Sequence, residues 1–316
     1  MTYNFCTLFD KNFLARGLCL HNSLLEQCSD FTLWMLCMDN ESCAMLEKLK
    51  LEKVKILKVS DVEDERMREV KPTRTPVEYC WMFSSQLPLY LLEKTGVDMI
   101  AYLDADMYFY APLETIYEQF GDNSIMIIPH GFSEKNKHRE KTSGIYNVGM
   151  IVFKNDANAL ECLIWWKDRC IEWCFATYED GKLGDQLYLN DWPTRFKKVF
   201  VLTDPGADVA SWNIDRFTFH IEKDKIIGTE KNSGKKFPLI FYHFHGLKIY
   251  ADSNNDIYLY PITVYERNIY ARYLKALRKA YADVRMIHPG WSYGCVKKPR
   301  PFQLIKQRVA LILRTV

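Results

Sequence analysis

Met99-Ile100-Ala101-Tyr102-Leu103-Asp104-Ala105-Asp106-Met107-Tyr108 decides how this chain is read. A short apolar run is followed at once by two carboxylates two residues apart, the pattern of a buried strand that ends at a functional edge. Carboxylates at such a terminus offer hard oxygen ligands to one divalent cation, and a cation held there binds the diphosphate of a nucleotide. Taken alone, Asp-x-Asp also describes many solvated turns. The surrounding segments choose between the two.

Upstream, Tyr3 to Phe9 is an apolar run ending at Asp10, and Phe13 to Leu25 has helical spacing. Phe31 to Met38 is a second run ending at Asp39-Asn40, Ser42 to Leu51 reads as a helix and Val54 to Val59 as a third strand. Apolar strands alternating with helices predict an α/β fold with a Rossmann-like, mostly parallel sheet flanked by helices, whose binding loops gather at the carboxyl ends. Pro76 to Lys94 is predicted as a long helix with a Trp81, Phe83, Leu87 and Leu91 stripe, interrupted by Pro88. The segment Arg74 to Trp81 either contacts a substrate or packs Tyr79 and Trp81 into the core.

Downstream, Ile125 to Pro129 and Tyr146 to Phe153 are predicted strands. Between them the polar, mostly basic stretch Glu134 to Lys141 is either solvated surface or a mobile lid over an anionic substrate. Leu160 to Tyr178 reads as a Trp-rich helix, Asp185 to Asn190 as part of another, and Val264 to Asp283 as a long one; strands are expected at Phe200 to Leu202 and Leu239 to Tyr242. From Lys297 onward there are basic residues and no acidic one, with Phe302, Ile305, Val309, Ile312 and Val316 at helical spacing. Such a tail either lies as a peripheral contact on an anionic membrane surface or docks on its own domain.

With 316 residues, 48% of them hydrophobic, the chain has ample material for a packed core. Its 42 basic and 40 acidic side chains leave a net charge of +2, which argues against a nucleic-acid partner. No apolar run reaches the length of about 18 residues expected of a membrane span. The amino terminus lacks the pattern of a signal peptide, so a cytoplasmic protein is expected, peripheral at most on the inner face of a membrane. The ten cysteines are scattered rather than paired as Cys-x-x-Cys, so no zinc site is expected. Cys170 and Cys174 read as thiols on a packed helix face, and a reducing compartment suits all ten.

Asp104, Asp106 and His243 each follow a predicted strand, so a sheet can bring them to one edge. Two carboxylates and an imidazole make a Mn²⁺ or Mg²⁺ site with positions left for phosphate oxygens. Lys248 and the Gly246 N–H would share the charge of a departing diphosphate. Taken by themselves, His243 and His245 read as one buried and one exposed strand histidine.

Over residues 3 to about 250 the order of motifs resembles the retaining, GT-A-fold glycosyltransferases of family 8, which includes bacterial lipopolysaccharide glycosyltransferases and glycogenin. Leu103-Asp104-Ala105-Asp106 is similar to the family's metal-binding aspartates and Tyr146-Asn147-Val148-Gly149 to its Asn-x-Gly segment. Asp185-Gln186-Leu187-Tyr188-Leu189-Asn190 resembles its Asp-Gln-x-x-Leu-Asn stretch, and His243-Phe244-His245-Gly246 its His-x-x-Gly element, which selects His243 over His245 as ligand.

The resemblance implies a catalytic GT-A domain over residues 1–260, with 261–316 as a C-terminal helical extension. It implies transfer of a sugar from a UDP-sugar to an acceptor hydroxyl with retained configuration, on a glycan or lipid-linked glycan of the lipopolysaccharide or polysaccharide kind. Leu8 and Asp10 would contact uridine, with Asn12 nearby; without the resemblance they read as a strand end and a helix cap. Gln186 would lie beside the sugar, Asp185 would hold its hydroxyls and Asn147 would help orient both sugars. The family carries Lys three residues after the glycine, then Pro-Trp; here Lys248 comes two residues after Gly246, followed by Ile249-Tyr250. The competing functions are a nucleotidyltransferase of related fold, for which Leu8 to Asn12 lacks the expected glycines, and a catalytically inactive sugar-nucleotide-binding protein.

Overall fold

A computed structural model describes residues 2–251, 257–259 and 267–297. The first half alternates as read: β1 (Tyr3–Phe9), α1 (Leu14–Gln27), β2 (Phe31–Cys37), α2 (Asn40–Leu49), β3 (Val54–Lys58), α3 (Pro76–Thr95) and β4 (Met99–Leu103). Then follow β5 (Met107–Phe109), α4 (Glu114–Phe120), β6 (Ile125–Pro129), β7 (Tyr146–Lys154), α5 (Ala157–Glu172) and β8 (Val199–Val201). The main sheet has the order β3-β2-β1-β4-β7-β6-β8. Only β7 runs against its neighbours, β4 and β6; the other pairings are parallel.

Period-two alternation divides the apolar side chains between the two faces of this sheet. Phe5, Phe9, Ala101, Leu103, Met150 and Val152 join one cluster with α1, α2 and a C-terminal helix. Cys6, Ile100, Tyr102, Ile151 and Phe153 join the other, beneath α3 and α5. A helix layer on each face is what nearly continuous apolar strands require.

The helix α3 starts with a capping box between Thr75 and Glu78, has Pro76 in its first turn, and ends at Gly96 in a left-handed conformation. It runs unbroken through the buried Pro88, contrary to the expected interruption. Packing on the sheet outweighs the one N–H that proline withholds. Its neighbour α5 stops at Glu172 rather than continuing to Tyr178. Beyond it Ala176 donates its N–H to the Glu78 carboxylate at 2.8 Å and Cys174 is buried against the Glu78 carbonyl, so the chain is drawn across the start of α3. The basic stretch after Ser133 is ordered as a 3₁₀ turn, Glu134–Arg139, and a helical turn, Glu140–Ser143, with Asn136 pinned to the Trp212 carbonyl at 2.9 Å.

Short strands follow, of which the sequence reading anticipated only Phe241–His243, as the run Leu239 to Tyr242. These are β9 (Val209–Ala210), β10 (Phe217–Glu222), β11 (Lys225–Glu230), β12 (Lys236–Pro238), β13 (Phe241–His243), β14 (Ile249–Ala251) and β15 (Ile257–Leu259). The helix α6 (Arg267–Ile287) and β16 (Cys295–Lys297) end the described chain. Strands β10 to β12 form an antiparallel sheet, and β14 lies between β15 and β16. A third small sheet has the order β5-β13-β9, with His243 paired to Met107 on one side and to Ala210 on the other.

The helix α6 buries Ile269, Tyr273, Leu277, Ala280 and Val284 in the same cluster as α1 and the sheet. Its Tyr273 ring stacks on Phe244 at 3.7 Å, and the Ile269 carbonyl accepts the Tyr110 hydroxyl at 2.8 Å. The basic amphipathic tail read from Lys297 onward lies outside the described residues, apart from the backbone of Lys297 itself. Among the described residues no helix is long and apolar enough to cross a membrane. All ten cysteines are free, with Cys170 and Cys174 buried.

Candidate active site

The chain leaves β4 at Leu103 and enters β5 at Met107, and the two aspartates occupy the turn between them. The Asp104 N–H donates to the Gly149 carbonyl on β7 at 2.8 Å, so this turn is an extension of the main sheet. The Asp106 carbonyl accepts the Phe244 N–H at 2.9 Å, carrying the β5–β13 pairing past His243. Residues far apart in sequence thereby meet. His243 Nε2 lies 3.1 Å from Asp106 Oδ1 and 3.6 Å from Asp104 Oδ2.

Asp208 lies behind His243, its Oδ1 3.5 Å from His243 Nδ1. It is 1% exposed and has φ 54°, a left-handed conformation costly for a side-chain-bearing residue. Asn213 holds that turn, donating from Nδ2 to the Asp208 and His130 carbonyls and accepting the Ala210 N–H, each at 2.9 Å. Asn147 Nδ2 donates to the Asp208 carboxylate, and its Oδ1 accepts the Gly149 N–H at 2.6 Å.

Gly149 has no room for a side chain: a Cβ would stand 2.6 Å from Asn147 Oδ1 and 2.7 Å from His243 Nδ1. The Asn-x-Gly segment therefore fixes both halves of the cluster, through the Asp104 N–H on one side and the His243 ring on the other.

The carboxylates are in excess here, since Asp104, Asp106 and Asp208 face one imidazole. Burial alone would lower the His243 pKa, but Asp106, Asp208 and Asp104 outweigh it and raise it well above the ordinary histidine value. Burial pushes Asp104 up to about 6, helped by Asp106 and opposed by His243. Burial works against Asp106 too, yet His243, His245 and the guanidinium of Arg16 bring it down to about 2. Arg16 is itself buried, donating to the Leu247 carbonyl at 2.8 Å and so tying α1 to the histidine loop.

These donors fit a divalent cation. Both ring nitrogens of His243 and Asp208 Oδ1 are buried and complete no hydrogen bond among the described residues. Buried polar atoms in native proteins are nearly always satisfied, and orphans beside carboxylates suit an ion. One ligand atom each from Asp106, His243 and His245 lies within 4.8 Å of the other two.

Asp185 is 7% exposed, bonded by the Ser84 hydroxyl and held through its own carbonyl by Trp166 Nε1 at 2.8 Å. Burial and the Asp104 charge raise it to about 7 against the Ser84 bond. Tyr102 lies in the field of both aspartates, donating to Asp104 Oδ1 at 3.0 Å. Gln186 Nε2 donates to the Ser143 carbonyl at 2.6 Å, and Asn190 Oδ1 accepts the Ile145 N–H at 2.8 Å, so this motif anchors the chain just before Asn147.

A carboxyl whose pKa rises on folding stabilises fully below its unfolded-chain pKa, and that contribution is lost as pH climbs through the folded value. For Asp104 and Asp185 the window runs from about 4, the ordinary aspartate value, to about 6 and about 7 respectively. The Tm of the metal-free protein should therefore fall across that window, and Asp185→Asn should flatten its upper part. A Tm that rises from pH 5 to 7 in both proteins would refute this.

Leu8 and Asp10 are half-buried at the end of β1. The Asp10 carboxylate accepts the Asn12 N–H at 2.9 Å, Asn12 Nδ2 at 2.8 Å and the Phe13 N–H at 3.3 Å, capping the turn into α1. Gly246 has φ 70° and Lys248 is exposed, making no hydrogen bond or ion pair among the described residues. Sequence reasoning passed over Asp208, Trp212, Asn213, Arg16 and Ser84, which stand in turns or helix interiors without a local motif. The i, i+2 spacing of His243 and His245 was the available signal that both point to one side.

No protein-family model matches the chain. It is 35% identical over 256 residues to the uncharacterized protein YfnF of Bacillus subtilis (strain 168), covering 79% of this chain and 83% of that protein. The chain belongs to the YfnF family. A second relative, the uncharacterized protein YfnD of the same strain, is 26% identical over 303 residues, 94% of this chain and 96% of its own length.

Among solved structures, this YfnF-family chain is similar to a glutamine-to-glutamate active-site mutant of LgtC, with TM-score 0.52 and 11% identity over 84% of this chain and 99% of LgtC. It is also similar to the galactosyltransferase LgtC in complex with donor and acceptor sugar analogs, with TM-score 0.50 and 13% identity over the same shares. The architecture, a mostly parallel central sheet between helix layers, is the GT-A fold.

Proposed function

We propose that this YfnF-family protein is a metal-dependent glycosyltransferase that moves a sugar from a UDP-sugar to an acceptor hydroxyl on a glycan or lipid-linked glycan, with retained configuration. The observation that carries the reading is the cluster of Asp104, Asp106 and an unsatisfied His243 at the carboxyl edge of a GT-A sheet. Mn²⁺ or Mg²⁺ held by these three residues would supply positive charge to the departing nucleoside diphosphate.

The remaining residues then have separable tasks. Leu8 and Asp10 hold the uridine, while the Gly246 N–H and Lys248 face the diphosphate. Asp185, fixed by Ser84, receives sugar hydroxyls and supports positive charge at the anomeric carbon. An amide is a poor nucleophile, so Gln186 lines the sugar rather than attacking it. The acceptor oxygen then bonds to the anomeric carbon on the face from which the diphosphate leaves, and its proton passes to the departing phosphate oxygen. Asn147 is buried with its amide spent on Gly149 and Asp208, so it orients the sugars at one remove, through the His243 support.

Ten free thiols suit a reducing, cytoplasmic setting. Incubation with a panel of UDP-sugars and glycan acceptors should release UDP with Mn²⁺ and not with a chelator, and UDP should raise the Tm only when Mn²⁺ is present. Neither turnover nor Mn²⁺-linked protection with any UDP-sugar would remove the reading.

A further inference from the structure

We propose that His245 is a second imidazole ligand of the cation site, so that Asp106, His243 and His245 together favour a borderline first-row ion over Mg²⁺. The inference rests on the cation reading above and adds a ligand to it. His243 and His245 are two apart where β13 ends, so they project to the same side while Phe244 between them turns into the core against Tyr273. Their rings stand 5.9 Å apart at 88°, an arrangement open to two nitrogens on one ion.

Trp212 sets both rings, meeting His243 edge-on at 5.2 Å and His245 at 5.8 Å. The three candidate ligand atoms lie within 4.8 Å of one another. His243 contributes nitrogens buried without hydrogen-bond partners. His245 is exposed and makes no hydrogen bond among the described residues, so an ion entering from solvent reaches it first. The Asp104 carboxylate stands near the group, its Oδ2 3.6 Å from His243 Nε2.

The ligand count decides the ion. Mg²⁺ demands oxygen and keeps its waters, whereas each imidazole strengthens binding along the series from Mn²⁺ to Co²⁺ and Zn²⁺. An exposed His245 is removable without unfolding the domain, and Asp106, His243 and the Trp212 support all remain.

The test is Mn²⁺ bound to the full chain, with and without UDP, read by electron spin-echo modulation from ligand nitrogen, and Co²⁺ and Mg²⁺ affinities by competition against it. Wild type is expected to give two imidazole nitrogens and His245→Ala one, with Co²⁺ affinity falling at least about tenfold and Mg²⁺ affinity changing little. A single nitrogen in wild type, unchanged in His245→Ala and lost in His243→Ala, overturns the second ligand and leaves the cation site standing. No bound Mn²⁺ under either condition overturns both.

Discussion

Asp106→Ala should lower Mn²⁺-dependent UDP release by about a hundredfold to a thousandfold, the range seen when one group that stabilises developing charge is removed. Asp106 is the carboxylate nearest His243, at 3.1 Å, and the one within reach of both imidazoles. Its backbone carbonyl, which bonds the Phe244 N–H, survives the substitution, so β5 and β13 stay paired. The native state loses a charge that steadies buried His243 and Arg16, worth about 3 kcal/mol when one partner of a buried pair is deleted. Asp106→Asn separates the effects by keeping volume and an acceptor while removing charge. Both variants should retain the far-ultraviolet spectrum and bind Mn²⁺ weakly by electron paramagnetic resonance. Wild-type turnover in Asp106→Ala would exclude this aspartate from the chemistry.

Gly149→Ala has the second large expected effect, and its cause is steric rather than electrostatic. The added methyl would lie 2.6 Å from Asn147 Oδ1, 2.7 Å from His243 Nδ1 and 2.9 Å from His243 Cε1, closer than such contacts allow. Neither neighbour moves freely, because Asn147 is bonded to Asp208 and Gly149, and His243 is packed against Trp212. Overpacking of this kind costs about 1–3 kcal/mol, and relief by moving His243 would dismantle the proposed cation site. We expect a lowered Tm together with a loss of Mn²⁺ affinity of at least about tenfold. Unchanged Mn²⁺ affinity in a folded Gly149→Ala protein would mean that the ring does not need its present position.

The strands legible from sequence are those buried on both faces. Tyr3 to Phe9 and Ile125 to Pro129 have the bounds that apolar runs suggest, because strands covered by helices on each side are mostly apolar, with Asn4 and Thr7 the polar positions in the first. The hairpin of β10 and β11 carries a signal that went unread. Phe217-Thr218-Phe219-His220-Ile221-Glu222 alternates, and Lys223-Asp224 makes the positive-φ turn after it. Strands such as β5 and β9, of three and two residues, are too short to have a period at all. They exist because β13 offers them hydrogen bonds.

The aspartate pair, the Asn-x-Gly segment, Asp185-Gln186 and His243 are chemical choices written into the chain, since each has a residue type and a strand end to announce it. By itself the sequence determined the alternation of strands and helices, the two-faced core and the identity of those groups, because local periodicity and short motifs suffice for them. Only the tertiary structure decided that Asp208 stands behind His243, that Asn147 is spent on holding it, and that His245 faces the same space as Asp106. Those relations depend on the register of β5, β13 and β9, and register is set by pairings between segments distant in sequence that no local pattern encodes.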